Sequence, residues 1–373
     1  MFSRRADWHS PTNALTLARE AARARGEQLF DLTESNPTRA GLAYPMDEIA
    51  EALARGARSS YDPDPRGLLS AREALAAQLS CSPDDLLITA STSEAYSYLF
   101  KLLTDPGDAV LTATPSYPLL EHLAALELVT LEHFPLELHT RWEIDFSRLA
   151  VSPRAKAVVV VNPNNPTGSF VSPTEQDSLA ALGLPLISDE VFLDYPLESR
   201  GTSIVRDDVL TFTLGGLSKS AGLPHLKLGW IRVSGPAAAR RDALAALELI
   251  ADNFLSVATP VQVALPELLR IAPRIRSLIS ERTRNNLDLL SCELAPYPAA
   301  HLLPVEGGWS AVIRMPRTMT DEELALALLA RGVVVQPGYF FDFESEGWVV
   351  LSLLTKDDQF AEGARRLAEM VPG

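Results

Sequence analysis

The chain has 373 residues, 47% hydrophobic and 22% charged, the composition and length of a folded protein of about two domains rather than a disordered or fibrous one. Asp and Glu outnumber Lys and Arg by 48 to 33, giving a net charge of −15, so the chain repels phosphate backbones and nucleic acid is not expected as a partner. Cys81 and Cys292 are the only cysteines, too few for a disulfide framework and in keeping with a reducing, cytoplasmic compartment.

No apolar run approaches the roughly 18 residues of a membrane span, and Arg4 and Arg5 near the start are not followed by an apolar stretch, so neither membrane insertion nor a secretory leader is expected. In chain order, the first predicted element is a helix over 13–25. Its Arg19, Arg23 and Arg25 form a basic face, read as solvated or interfacial. From 86 to 233 short apolar runs alternate with helical patterns. The runs 86–89, 109–112, 157–161, 186–188, 210–213 and 228–233 are β-branched and flanked by Gly or Pro, which predicts buried strands. Helical patterns at 93–103, 119–126 and 174–182 lie between them, and this alternation predicts an α/β fold with a mostly parallel sheet.

After Pro236 come long helices at 237–251 and 271–290. A final α+β segment follows, with strands at 309–314 and 348–354 and helices at 321–330 and 360–370. The organisation expected is a large domain over 41–255 and a smaller one built from 1–40 and 256–373. No fixed-period repeat is present.

Ligands of open parallel sheets bind beyond the carboxyl ends of the strands, which makes the residues after each predicted strand the candidates. Ala90-Ser91-Thr92-Ser93-Glu94 follows the first, and Thr114-Pro115-Ser116-Tyr117-Pro118 the second. Asn162-Pro163-Asn164-Asn165-Pro166-Thr167-Gly168 follows the third, Asp189-Glu190 ends the fourth, and Gly215-Gly216-Leu217-Ser218-Lys219 follows the fifth. Taken singly these are ordinary signals: a helix N-cap, a turn tyrosine, dense turn chemistry, an exposed lysine. Their order changes the reading, because Asn165 to Asp189 is 24 residues and Asp189 to Lys219 is 30, one β/α step each. Hydroxyls, an aromatic ring, an amide, a carboxylate and an amine at successive strand ends suit an anionic aromatic cofactor held covalently. The six histidines form no metal-ligand pattern, and no metal is expected.

From about Leu32 to the C-terminus the sequence resembles the class I/II aminotransferases, pyridoxal 5'-phosphate enzymes of fold type I. Asn165-Pro166-Thr167-Gly168, Asp189-Glu190-Val191, and Ser218-Lys219 with Gly229 ten residues on carry the resemblance. It implies that Lys219 binds the cofactor covalently and that Ser218 beside it belongs to the cofactor site. Asp189 would pair with the pyridine nitrogen, Asn165 with the phenolic oxygen, and Tyr117 would stack on the ring. Ser91 and Thr92 would hold the phosphate at a helix N-terminus, joined by Lys227, and Tyr61 would reach a neighbouring subunit's phosphate in a homodimer. The implied partners are an amino donor and a 2-oxo acid acceptor. A β-lyase, decarboxylase or racemase, or an inert ligand-binding homologue, is the alternative.

The chain departs from the family pattern at four places. Gly216 stands for a phosphate-binding serine, Lys227 for an arginine, Phe192 for a tyrosine, and Val350 for the arginine that anchors the substrate carboxylate. Arg39, in the segment with Asn36, is the expected substitute, and Lys356 the second. Gly307-Gly308-Trp309 reads either as a strand lining the site or as a bulge with a core tryptophan.

Overall fold

A computed structural model describes residues 3, 5, 13–198 and 201–371. The residues on which the leader reading rests lie almost entirely outside these. Eight strands form the main sheet, in spatial order Leu86–Thr89, Gly229–Ser234, Thr211–Gly216, Leu186–Asp189, Ala155–Val161, Ala109–Thr114, Thr130–Leu138 and Trp142–Ile144. Neighbours from Thr211–Gly216 to Thr130–Leu138 are parallel, whereas Gly229–Ser234 runs against both its neighbours and Trp142–Ile144 folds back antiparallel. The central strands are apolar on both sides because both faces are covered. Val159 packs with Leu99 and Leu247 of the helices Thr92–Leu103 and Ala237–Asp252, and its neighbours Val158 and Val160 pack with Leu179 on the other side.

The predicted strands and helices are present, with ends shifted by a few residues, and the exceptions have physical causes. Thr130–Leu138 was not anticipated because Glu132, His133 and Pro135 interrupt its apolar pattern; near the edge of the sheet it is only partly buried and tolerates them. The helix predicted over 271–290 runs from Thr259 to Leu294, through Pro266 and Pro273. Each internal proline opposes helix by about 3 kcal/mol, but Val261, Leu265, Leu268, Ile271 and Ile275 are buried along one side and hold the first half helical. The far end of the same helix, at Leu290 and Leu294, enters a different core. Helices Met46–Gly56 and Leu69–Leu79 also lie outside the predicted set.

A second sheet orders His301–Leu302, Ser310–Arg314, Trp348–Ser352 and Gln336–Pro337, all antiparallel. Ala311, Ile313, Val349 and Leu351 face its helices, Asp321–Ala330 and Asp357–Ala368. By alternation, Ser310, Val312, Val350 and Ser352 face the other way. Phe30–Asp31 pairs with Val333–Val334, tying the N-terminal segment to this region. No described helix is long and apolar enough to cross a membrane.

Candidate active site

Strand Leu186–Asp189 ends on a buried carboxylate. The Val191 N–H donates to Asp189 Oδ1 at 3.2 Å, and the Tyr96 hydroxyl donates to Oδ2 at 3.1 Å. Burial pushes the Asp189 carboxyl up to about 6, against the opposing pull of those two donors and of the Lys219 charge. The neighbouring strand, Thr211–Gly216, runs into the single turn Leu217–Ser220 that carries Lys219. Lys219 Nζ lies 5.2 Å from the Trp309 ring centre and 5.8 Å from that of Phe192. Desolvation lowers its pKa and the Asp189 charge opposes this, so the amine is easier to deprotonate than a free lysine.

Three aromatic rings fix this wall, with Phe192 and Tyr195 both edge-on to Trp309 at 5.2 and 5.0 Å. The Tyr195 hydroxyl donates to the Lys219 carbonyl at 2.6 Å, anchoring the turn from below.

Asn165 follows strand Ala155–Val161, and its Oδ1 accepts from the Ser310 hydroxyl at 3.1 Å. Beside it Asn164 donates to the Pro115 carbonyl at 3.0 Å and to Thr167 Oγ1 at 2.9 Å. Gly168 has φ +71, and a Cβ there would stand 2.7 Å from the Gly307 carbonyl, so the turn needs glycine to meet the second sheet's segment. Tyr117 is half exposed; burial of its hydroxyl and then the Asp189 charge raise its pKa, which places it within the field of that carboxylate. Ser91 caps the helix Thr92–Leu103, its Oγ accepting from the Glu94 N–H at 3.2 Å. A Cβ on Gly229 would stand 3.0 Å from the Ser91 carbonyl carbon, so only glycine lets the neighbouring strand approach this loop without displacing it.

The sequence profile of the family described as aminotransferase class I and II matches residues 27–367. The chain belongs to the class I and II aminotransferases. It is 27% identical over 374 residues to the alanine aminotransferase of Mycobacterium tuberculosis (strain ATCC 25618 / H37Rv), covering 93% of this chain and 86% of that one. It is 28% identical over 391 residues to the aspartate/prephenate aminotransferase of Thermus thermophilus, covering 99% and 98%. An S-alkyl-thiohydroximate lyase of Arabidopsis thaliana is 30% identical over 272 residues, 68% of this chain and 58% of that one. Among solved structures, the alanine aminotransferase from Pyrococcus furiosus superposes with a TM-score of 0.90 at 22% identity, covering 99% of both chains. A Thermus thermophilus aspartate aminotransferase mutant gives 0.86 at 25%, covering 100% of both.

The protein is thus a pyridoxal-phosphate-dependent aminotransferase, a transferase of class EC 2.6.1.-, with its donor unspecified. The residues of the site suit that cofactor. A desolvated amine matches its aldehyde carbon, a buried carboxylate its ring nitrogen, the half-exposed Tyr117 ring its face, and a helix N-terminus its phosphate. The indole N–H of Trp309, in the wall around Lys219, is buried without a partner, which fits a site that awaits a polar ligand.

Of the remaining sequence candidates, Ser218 is half-buried beside Lys219. Lys227 is exposed at φ 52, two residues before Gly229. Tyr61 is 72% exposed and shares a cavity with Asp64 and Ser256. Asn36 spends its Oδ1 on the Thr38 N–H and hydroxyl, closing a turn. Arg39 is exposed, and the Lys356 chain lies against Gly41.

Val350 is fully buried among Trp142, Val312, Phe341 and Trp348. Tyr96, Tyr195 and Ser310 carry no sequence signal: each is one aromatic or hydroxyl within an ordinary amphipathic pattern, and only packing brings it to Asp189, Lys219 or Asn165.

Proposed function

We propose that this aminotransferase exchanges an amino group between an amino donor and a 2-oxo acid through Lys219, with Asp189, Asn165 and Tyr117 holding the cofactor ring and Ser91, Thr92, Ser218 and Lys227 around its phosphate. Bound pyridoxal phosphate supplies an electron sink that acidifies the substrate Cα–H. Asp189 would hold the ring nitrogen as an anion, and the Tyr96 and Val191 donors favour its ionised form. Asn165 is oriented by Ser310 and would hold the ring oxygen through its amide N–H. Lys219, with its depressed pKa, would bind the cofactor's aldehyde carbon and, once free, would be the group to accept and return the substrate proton.

The observation that carries this reading is the pairing of a desolvated amine with a buried carboxylate at the ends of two adjacent parallel strands. The exposed Tyr61 supports a homodimer in which a second copy covers that tyrosine; a cytoplasmic location is proposed from the sequence alone. A large cofactor-binding unit and a smaller unit from both termini, bridged by the helix Thr259–Leu294, complete the proposed organisation. The lyase relative keeps elimination from the same site as the second reading.

Borohydride reduction followed by peptide mapping tests the assignment, since the chain has only four other lysines, Lys101, Lys156, Lys227 and Lys356. The cofactor is expected on Lys219 alone, and Lys219→Ala should lose both attachment and turnover. Fixation at another lysine would overturn it. Recovery of the starting spectrum on adding a 2-oxo acid separates transamination from elimination.

A further inference from the structure

Lys219 sits in a helical turn of only four residues, Leu217–Ser220, too short to hold its own shape in water. The carbonyls of the turn and of the residues just after it are met by side chains from three distant segments. Tyr195 donates to the Lys219 carbonyl at 2.6 Å, Tyr44 to the Gly222 carbonyl at 2.7 Å, and Arg276 Nη1 to the Ser220 carbonyl at 3.2 Å. Gly222 has φ +64, and a Cβ there would stand 2.9 Å from Ile275 Cγ2, Ile279 Cδ1 and the Tyr44 hydroxyl. The chain leaving the turn therefore lies flush against the helix Thr259–Leu294.

Arg276 is the one charged member of this set. Half-buried on that helix, next to the enclosed Ile275, it also reaches Asp194 Oδ2 at 3.4 Å. Burial pushes the Asp194 carboxyl up and the Arg276 charge opposes this. Asp194 directly precedes Tyr195, whose carbonyl accepts from the Gly308 N–H at 2.9 Å. The dipeptide Asp194-Tyr195 thus joins the turn under Lys219 to the segment carrying Trp309, whose ring centre lies 5.2 Å from the amine. One guanidinium nitrogen, with its two N–H groups, serves the carboxylate and the Ser220 carbonyl together. A charged donor of this kind is about twice as strong as a neutral one.

We propose that Arg276 is a positioning residue for Lys219: it fixes the peptide after the lysine against the long helix and so sets where Nζ stands in the site. This rests on the reading of Lys219 as the lysine that binds the cofactor, and Arg276 acts only through the Ser220 carbonyl. Arg276 borders a cavity of about 730 Å³ with Ser277, Ser280 and Arg284, so a small guanidinium ion can enter where its head group has been removed. Arg284 lines the same cavity from the same helix, but it is exposed and donates to the Pro196 carbonyl at 3.1 Å. It serves as the control.

The test compares the parent with Arg276→Ala, Arg276→Lys and Arg284→Ala. Amide hydrogen exchange over 217–223, read by mass spectrometry on the full chain without cofactor, should quicken about tenfold in Arg276→Ala, the factor that one such hydrogen bond is worth. Attachment of added pyridoxal phosphate, followed by absorbance, should slow. On the amino acid the parent uses best, kcat should fall about a hundredfold with KM little changed. Arg276→Lys, and millimolar guanidinium added to Arg276→Ala, should each restore part of these losses, while Arg284→Ala behaves as the parent. Unchanged exchange and attachment in Arg276→Ala, an equal loss in Arg284→Ala, or no recovery with either cation would each overturn the assignment. If Arg276→Ala does not fold, the double variant with Asp194→Asn, which leaves no unpaired carboxylate, is judged by the same criteria. Borohydride fixation at another lysine of the parent would instead overturn the reading of Lys219, while the exchange result alone judges the Arg276 contact.

Discussion

The floor of the site and the sheet that faces it are built on opposite principles. On the floor, strand ends bury a carboxylate, an amine and an amide and supply each with named partners: Tyr96 and Val191 for Asp189, Ser310 for Asn165, three aromatic rings around Lys219. Across from it, the Val312, Val350 and Trp348 side of the small sheet is apolar and packed on Trp142 and Phe341. Buried ionisable groups cluster at the strand ends proposed for the chemistry, and the Val350 side of the small sheet is hydrocarbon. The proposed reacting centre is thus rich in paired polar groups, whereas Val350, which the resemblance aligns with the family's arginine, lies in hydrocarbon.

The sharpest way to break this contrast is Asp189→Asn. Removing a preorganised charge of this kind should cost about 10³-fold in turnover, with little loss of cofactor binding. A steady-state rate within tenfold of the parent would deny Asp189 its role. The same variant should be more stable than the parent when cofactor-free. The folded-state pKa of Asp189 is raised from 3.8 to about 6, so between those values the native chain holds a proton that the unfolded chain has released. Stability therefore falls as pH rises through that window and stays lower above it. Two units correspond to at most about 3 kcal/mol, and an amide of the same shape escapes that cost while it still accepts from Val191. Thermal melts should show the variant gaining above pH 6 and the gain vanishing towards pH 4. A parent whose melting temperature does not depend on pH across that range would contradict the assigned shift.

Val350→Arg examines the other wall. Val350 is fully enclosed, and an unpaired guanidinium there should cost about 3–5 kcal/mol, seen as a lower denaturant midpoint, without raising turnover of aspartate or alanine. A variant that keeps its stability and gains activity on those acids would show that the apolar wall is no obstacle.

Tyr96→Phe is the gentlest probe. Losing one hydroxyl donor pushes the Asp189 carboxyl further up, because the hydrogen bond favours the charged form. The acid limb of the pH–rate profile should move to higher pH by up to about one unit, with the alkaline limb in place. An unshifted acid limb would make Tyr96 a packing residue only.

Much of the floor was legible in the sequence because a β/α series repeats a simple rule: a buried strand, then a polar residue where it ends. That periodicity predicted the helices Leu119–Leu126 and Asp321–Ala330 with the bounds observed, and it placed Asn165, Asp189 and Lys219 at strand ends. It failed where long-range packing overrides local preference, as in the two prolines carried inside Thr259–Leu294 and the charged, proline-containing strand Thr130–Leu138. The sequence also offered Asn36 and Arg39 as substrate residues; in the folded chain the first closes a turn and the second is exposed.

By itself, then, the sequence determined the alternation of elements, the absence of any cation at Val350, and the order of the polar groups at the strand ends, since these depend only on local period and residue type. Tertiary structure decided which hydroxyl meets Asp189, which ring walls in Lys219, and which arginine reaches the Ser220 carbonyl. Those contacts join residues far apart in the chain, such as Tyr96 with Asp189 and Ser310 with Asn165. They exist only because buried polar groups must find partners once the sheets and helices have excluded water.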